Sequence, residues 1–268
     1  MKSNIKAHWL KGLVFLLSLF IVYMVTFAKL DTTAKNRIDS SLKQALAVFA
    51  TVKALNGVIS VVQGTEVGPP GVTISIGEIL DPINDLVERF SWIMLASLTS
   101  LGIQKILMNI VVFKGFEILL IFSLVVSNIL LFFKPKEYQQ GRNLFFKFTF
   151  LLVFLRFSIP FMAMANEYVY INFVKQDYNI EKSQRVIISA KNNISKFDDK
   201  KASYFSTDYY RNKLIEFKVA ILDTGDHIVD LIIVFIFQTM LFPILFLWFL
   251  YRLLVAFLRS FHDPLVGF

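Results

Sequence analysis

Phe116-Glu117-Ile118-Leu119-Leu120-Ile121-Phe122-Ser123-Leu124-Val125-Val126-Ser127-Asn128-Ile129-Leu130-Leu131-Phe132-Phe133, closed by Lys134-Pro135-Lys136-Glu137, decides the fold class. As a helix at about 1.5 Å per residue this run is roughly 27 Å long, close to the ~30 Å hydrocarbon core of a bilayer. Its single charge, Glu117, sits at one end. Only a helix or a closed barrel satisfies its own backbone in lipid, and the run lacks the polar-apolar alternation of a barrel strand. It therefore reads as a membrane span.

Three further blocks have the same character. Residues 144–165 form the next, and 228–257 the longest, which must tilt or protrude. The first block, up to residue 28, is led by Lys2, Lys6, His8 and Lys11. It is longer than a signal-peptide core, and no A-x-A site follows it, so it reads as a retained anchor. Residues 92–113 differ, because Gln104, Lys105 and Asn109 crowd their second half. A charge at mid-bilayer costs about 3 kcal/mol on insertion scales.

The positive-inside rule arbitrates. The N-terminus, the loop from Lys134 through Arg142, and the end carrying Arg252 and Arg259 are all basic. An even number of spans between them puts all three in the cytoplasm. The expected fold is an all-α integral membrane protein with four transmembrane helices plus one re-entrant or interfacial helix at 92–113. A fifth true span there, with inverted ends, is the alternative. The organisation is 1–28 cytoplasmic N-terminus and first span, 29–91 outer helix and Gly/Pro loop, 92–113, 114–133 span, 134–143 cytoplasmic basic loop, 144–165 span, 166–227 outer helical hairpin, 228–257 last span and 258–268 cytoplasmic tail. This describes a multi-pass protein of the cell inner (cytoplasmic) membrane with both termini cytoplasmic. The abundance of Phe, Ile, Lys and Asn accords with an AT-rich bacterial genome.

The outer segments carry apolar heptads. Ile38, Ala45, Val52 and Ile59 recur every seven residues, with Leu42 and Phe49 offset. Phe173, Ile180, Ile187 and Ile194 do the same, with Val169, Ala190 and Phe197 offset and Gln176 and Ser183 interrupting. Tyr210, Leu214, Phe217 and Ile221 mark a return helix after the charged turn 197–201. Stripes over three to four heptads predict long helices packed as a coiled-coil-like bundle, either as a protruding stalk or as an ordinary bundle. Gly64, Gly68, Pro69, Pro70, Gly71 and Gly77 interrupt helix between them, and Val72-Thr73-Ile74-Ser75-Ile76 alternates like a short extended piece. Asp81-Pro82 reads as an N-cap followed by a first-turn proline.

Composition narrows the function. The chain has 268 residues, 56% of them hydrophobic, against the roughly 45–50% of soluble domains. It has no cysteine, so disulfides, thiolate metal sites and cysteine nucleophiles are excluded. The net charge of +8 finds its explanation in span ends and anionic headgroups rather than nucleic acid. No phosphate-cradling glycine loop, H-E-x-x-H or G-x-S-x-G is present, and the expectation is a protein that is not an enzyme and needs no cofactor or metal.

The candidate residues are those that are unusual in or beside a bilayer. Arg156 lies near the middle of its span, and an intramembrane charge is a functional hypothesis that requires a partner. Glu117 is the expected one. Asp223, Asp226, His227 and Asp230 fall at i, i+3, i+4 and i+7 on one helix face, a pattern for a cation or pH site. Glu78, Asp81, Asp85 and Glu88 form a second acidic set, and the two sets together would make an acidic vestibule. Gln104, Lys105 and Asn109 are candidate pore or re-entrant polar groups. Pro160 and Pro243 are candidate kinks. Ala96, Ser97, Ser100 and Gly102 provide small-residue helix contacts. The first functional expectation is a non-enzymatic membrane assembly protein, a homo-oligomer in the lipid bilayer whose outer helices meet protein partners. The alternative is an oligomeric ion channel or transporter using the acidic vestibule, Arg156 and Lys105.

Overall fold

The computed structural model describes residues 2–27, 30–63, 66–67, 74–132, 139–195 and 207–260. Within them the chain is helical: α1 (Lys2–Phe27), α2 (Leu30–Gln63), α3 (Ile76–Val112), α4 (Lys114–Phe132), α5 (Gln139–Val169), α6 (Ile180–Ser195), α7 (Thr207–Ile236) and α8 (Phe242–Ser260). Short π-turns follow α5, at Tyr170–Val174, and α7, at Phe237–Leu241. Strands β1 (Glu66–Val67) and β2 (Ile74–Ser75) pair antiparallel, Glu66 opposite Ser75 and Val67 opposite Ile74. That pairing places part of the expected extended piece. The charged turn at 197–201, the loop at 134–138 and residues 261–268 lie outside the described residues.

Several helices are long and apolar. Among the described residues, Leu30–Gln63, Leu80–Val112, Lys114–Phe132, Gln139–Val174 and Lys218–Ala256 have the length and composition to cross a membrane, and Lys11–Thr26 is a shorter apolar helix. The protein is thus compatible with multiple passes through a bilayer. α2 and α3 qualify because their charges are unevenly spread. In α2 they crowd the first half, Asp31 to Lys43, leaving Lys53 in the rest.

Residues 92–112 belong to one uninterrupted helix. The chain bends at Phe113, which accepts backbone bonds from Phe116 and Glu117 at 2.9 and 3.1 Å. Its ring lies over Gly115, where any Cβ would come within 2.5 Å of it. α3 also starts earlier than Asp81-Pro82 suggests, where β2 ends. Pro82 lies inside it, so the carbonyl four residues earlier goes without its helical donor. Asp81, rather than capping a helix start, accepts a bond from Gln63 Nε2 at 3.2 Å.

By its contacts the chain divides into two compact units. One comprises Ser40–Gly102 and Asn166–Phe242. Its core takes Ala45, Val52, Leu55 and Ile59 from α2, Leu80, Val87, Phe90 and Met94 from α3, Ile180, Ile187 and Ile194 from α6, and Ile221, Ile228 and Phe235 from α7. The heptad rows thus bury against each other within one chain, and Gln184 Nε2 donates to Thr51 Oγ1 at 3.0 Å across them. Among the described residues of the α6 row, Phe173 departs from this pattern. It is 69% exposed while Tyr170 is buried, because the π-turn and the break before Asn179 shift the register ahead of Ile180. Asn179 Oδ1 caps α6 by accepting from Glu181 and Lys182 N–H.

The other unit comprises Met1–Asp39, Ile103–Ala165 and Pro243–Phe268. Val25 of α1, Leu120 and Leu124 of α4 and Leu152 of α5 make one apolar cluster. Ala34 and Ile38 of α2, Met108 and Val111 of α3 and Ile159 and Ala163 of α5 make another. Hydroxyls tie the first together: Thr149 Oγ1 lies 2.6 Å from Ser123 Oγ and 2.8 Å from Ser127 Oγ. Asn128 Nδ2 donates to Ser18 Oγ at 2.8 Å. The Lys11 ammonium lies over the Phe132 ring at 5.9 Å.

Ile187 is fully buried in its own chain's bundle. Ile187→Ala should cost about 2–5 kcal/mol of bundle stability, lowering the thermal midpoint of the purified protein while its mass at low temperature stays unchanged. An unaltered midpoint would place Ile187 at a subunit contact instead.

Candidate functional site

Burying a guanidinium costs several kcal/mol unless a hydrogen-bonded counter-charge meets it. Arg156, 3% exposed, finds that partner in Asp31 of α2 rather than in Glu117. Its Nη1 donates to Asp31 Oδ1 at 2.7 Å and its Nη2 to Oδ2, the parallel fork that matches guanidinium to carboxylate. Glu117 is taken by Lys114, at 2.9 and 3.0 Å. The expected pairing fails because Lys114 is three residues from Glu117 on the same helix, whereas Asp31 lies beyond the end of α1, a position that span reading assigns to the outside. Arg156 Nε is buried and without a protein partner. Four residues on, Pro160 lacks the N–H that would bond the Arg156 carbonyl.

The pore candidates separate. Lys105 Nζ meets Asp39 Oδ1 at 2.7 Å, Gln104 is buried, and Asn109 is exposed. Asn109 lines an open groove of about 570 Å³ at the α3–α4 bend with Ile106, Ile110, Phe113, Gly115, Phe116 and Leu119. Within two turns of α3 these polar groups thus point in different directions. Asp31 and Asp39, which this packing makes important, carry no signal in the sequence, because ordinary outer-helix charges look the same there.

In the other unit His227 sits among the expected acids, and Ser183 joins them. His227 Nδ1 is 3.1 Å from Ser183 Oγ and 3.3 Å from Asp230 Oδ2, and its Nε2 is 4.0 Å from Asp223 Oδ1. Asp226 is exposed. The residue types match a Ser-His-Asp triad, but the geometry does not. Ser183 and Asp230 share one ring nitrogen, whereas a general base needs the hydroxyl on one nitrogen and the carboxylate on the other. Ser183 is also 1% exposed. Among the described residues no three His, Asp or Glu side chains are grouped to hold a metal ion, so the cation reading of this face is not supported by its geometry. The second acidic set is spread outward: Asp81, Asp85 and Glu88 are exposed, and the Glu78 side chain is outside the described residues. A Cβ at Gly225 would lie 3.1 Å from Ile83 Cδ1, which brings this part of α7 close against α3.

A further polar node in that unit surrounds the second π-turn. Phe242 N–H bonds back to Phe237 O, and Pro243 has no N–H, so Gln238 O loses both helical donors and Thr239 O its α-helical one. Side chains replace them. Asn166 Nδ2 of α5 donates to Gln238 O at 2.8 Å, and Ser100 Oγ of α3 donates to Thr239 O. Thr239 Oγ1 bonds Phe235 O at 2.7 Å. Asn166 Oδ1 and Ser97 Oγ are buried and have no protein partner. The proline and the neighbouring Gln-Thr are visible in the sequence, but Asn166 gives no signal, since nothing local marks a side chain that repairs a distant backbone.

No family model, curated protein or solved structure matches this chain, and its function rests on these arrangements alone.

Arg156→Met leaves the Asp31 carboxylate in a largely buried site without its counter-charge and should destabilise the protein by about 3–5 kcal/mol. Asp31→Leu combined with Arg156→Met should recover most of that. Thermal unfolding of both variants measures the coupling, and equal losses in single and double variants would deny that the two side chains act as a pair.

Proposed function

We propose that this chain is a non-enzymatic integral membrane protein that assembles with copies of itself. The supporting observation is that three helix-embedded basic residues are neutralised within the chain: Arg156 by Asp31, Lys105 by Asp39, Lys114 by Glu117. The first two pairs join α2 to α5 and to α3, and charges paired in this way offer a passing ion little net field. Because the heptad rows are used internally, self-association falls to outward apolar side chains such as Trp92, Leu95, Ile106 and Ile110, each more than half exposed. Protein partners, if they bind through the outer helices, meet the same kind of surface.

The topology follows from the charge pattern. The chain sits in the cell inner membrane with spans at 12–28, 114–133, 144–165 and 228–257 and both termini in the cytoplasm. Residues 92–113 form the outer helix that leads into the α4 span. Absence of native cysteine makes labelling clean: with Ser91→Cys and Asn143→Cys, a membrane-impermeant maleimide added to intact spheroplasts should modify the first and spare the second. The reverse pattern overturns the orientation.

The purified protein in nanodiscs should have the mass of a discrete oligomer after correction for lipid. A monomer at all accessible concentrations defeats the assembly reading. Liposomes that pass cations with wild-type protein and lose the flux with Lys105→Ala would favour the channel instead.

A further inference from the structure

We propose that the outward face of α8 at Trp248, Arg252 and Arg259 binds the headgroup phosphate of an anionic phospholipid. The inference rests on α8 lying in a bilayer and is independent of self-association.

Arg156, Lys105 and Lys114 each have an acid beside them in this chain. Arg252 and Arg259 do not. Both are exposed, and among the described residues neither is paired with a carboxylate. No Asp or Glu occurs from residue 231 to residue 262. A guanidinium cannot shed its charge, and an unpaired one against hydrocarbon is expensive. On this face the membrane itself supplies the counter-charge.

The geometry of α8 separates two sides. Phe246 packs on Phe161 of α5 with ring centroids 5.7 Å apart, and Leu250 and Leu254, on the same side, are half-buried. Trp248, Arg252 and Arg259 fall at i, i+4 and i+11, which places them together on the opposite side. Arg252 Cζ lies over the Trp248 ring, 5.4 Å from its centroid. That contact steadies the guanidinium. Its fork of N–H donors fits two oxygens of one phosphate. Arg259, about 10 Å further along the axis, carries a second positive charge on the same side.

Length sets the depth. The block 228–257 is about 45 Å long as a helix, against a hydrocarbon core of about 30 Å. Its last turns therefore reach the headgroup layer, where tryptophan and tyrosine gather, and Trp248 and Tyr251 lie in those turns. Leu245 and Phe249, 59% and 54% exposed, continue the face towards the bilayer interior and give acyl chains an apolar bed. A lipid phosphate uses that bed, whereas a free phosphate does not. Two bases without an acid favour a headgroup of net negative charge, since nothing on this face pairs with the ammonium of a zwitterionic one.

The test uses the full-length protein in detergent, titrated with phosphatidylglycerol, with phosphatidylcholine or with inorganic phosphate. The thermal midpoint should rise saturably with phosphatidylglycerol alone. Arg252→Gln should keep the parent's midpoint without lipid and raise the half-saturating phosphatidylglycerol concentration by about five-fold or more, because the fork is lost. Lys53→Gln removes the same charge from α2 and should titrate like the parent. An equal rise with phosphatidylcholine or inorganic phosphate overturns the proposal, as does equal weakening by Arg252→Gln and Lys53→Gln, the mark of net charge alone. If Arg252→Gln fails to fold, Arg252→Lys decides: it keeps the charge without the planar fork, and a titration identical to the parent's overturns the site. Protein that stays with the membranes through alkaline extraction yet ignores phosphatidylglycerol defeats this inference and leaves the membrane reading intact.

Discussion

A guanidinium 3% exposed among phenylalanines and leucines constrains everything around it. Arg156 cannot shed its charge, so a carboxylate must reach it, and the carboxylate that does so belongs to α2. That pairing ties the start of α2 to α5. Asp39 repeats the device eight residues later by meeting Lys105 of α3. Between the two acids Ala34 and Ile38 pack on Met108, Val111, Ile159 and Ala163. One broad face of α2 thus carries charge at both ends and apolar surface between, and each acid matches a basic residue on a different neighbour. Slipping α2 by one residue would rotate both acids away from their bases and turn Ala34 and Ile38 out of their apolar contacts. Charge pairs and apolar contacts thus agree on one register of α2.

Proline supplies a second constraint. A proline in a helix removes a donor and crowds the preceding turn. At Pro243 the chain answers with a π-turn, and the carbonyls so released are met from α3 and α5. The same tactic appears after α5, where Lys175 N–H bonds Tyr170 O at 2.8 Å, the extra residue shifts the stripe, and Phe173 turns outward. Each π-turn re-aims a face that a regular helix would have carried on unchanged.

The helices are legible in the sequence because apolar length and heptad period are local. Ile38, Ala45, Val52, Ile59, Ile180, Ile187 and Ile194 form one-sided stripes in the sequence and are buried in the fold. Phe173 departs from its stripe because a register shift between Tyr170 and Asn179 leaves no mark in spacing. Asp81-Pro82 misplaces the start of α3 because it has the composition of a helix start yet sits one turn and more inside. The continuity of residues 92–112 is obscured by Lys105, whose cost to the helix is met by an acid on a different helix.

For the sites the division is sharper. Which residues are expensive in an apolar chain is evident from residue type alone: Arg156, Lys105, His227 and Pro243 each carry a charge, a titratable ring or a missing donor that must be answered. What answers them is decided only in three dimensions. Glu117 is nearer to Arg156 in sequence than Asp31 is, yet Lys114, three residues along one helix, claims it. Asn166 and Ser183 have no feature to distinguish them from other polar residues until packing sets them beside a released carbonyl and an imidazole. Demand for a partner is a property of one side chain and is written in the sequence, whereas supply depends on which helices touch, and helix contact is a property of the folded chain.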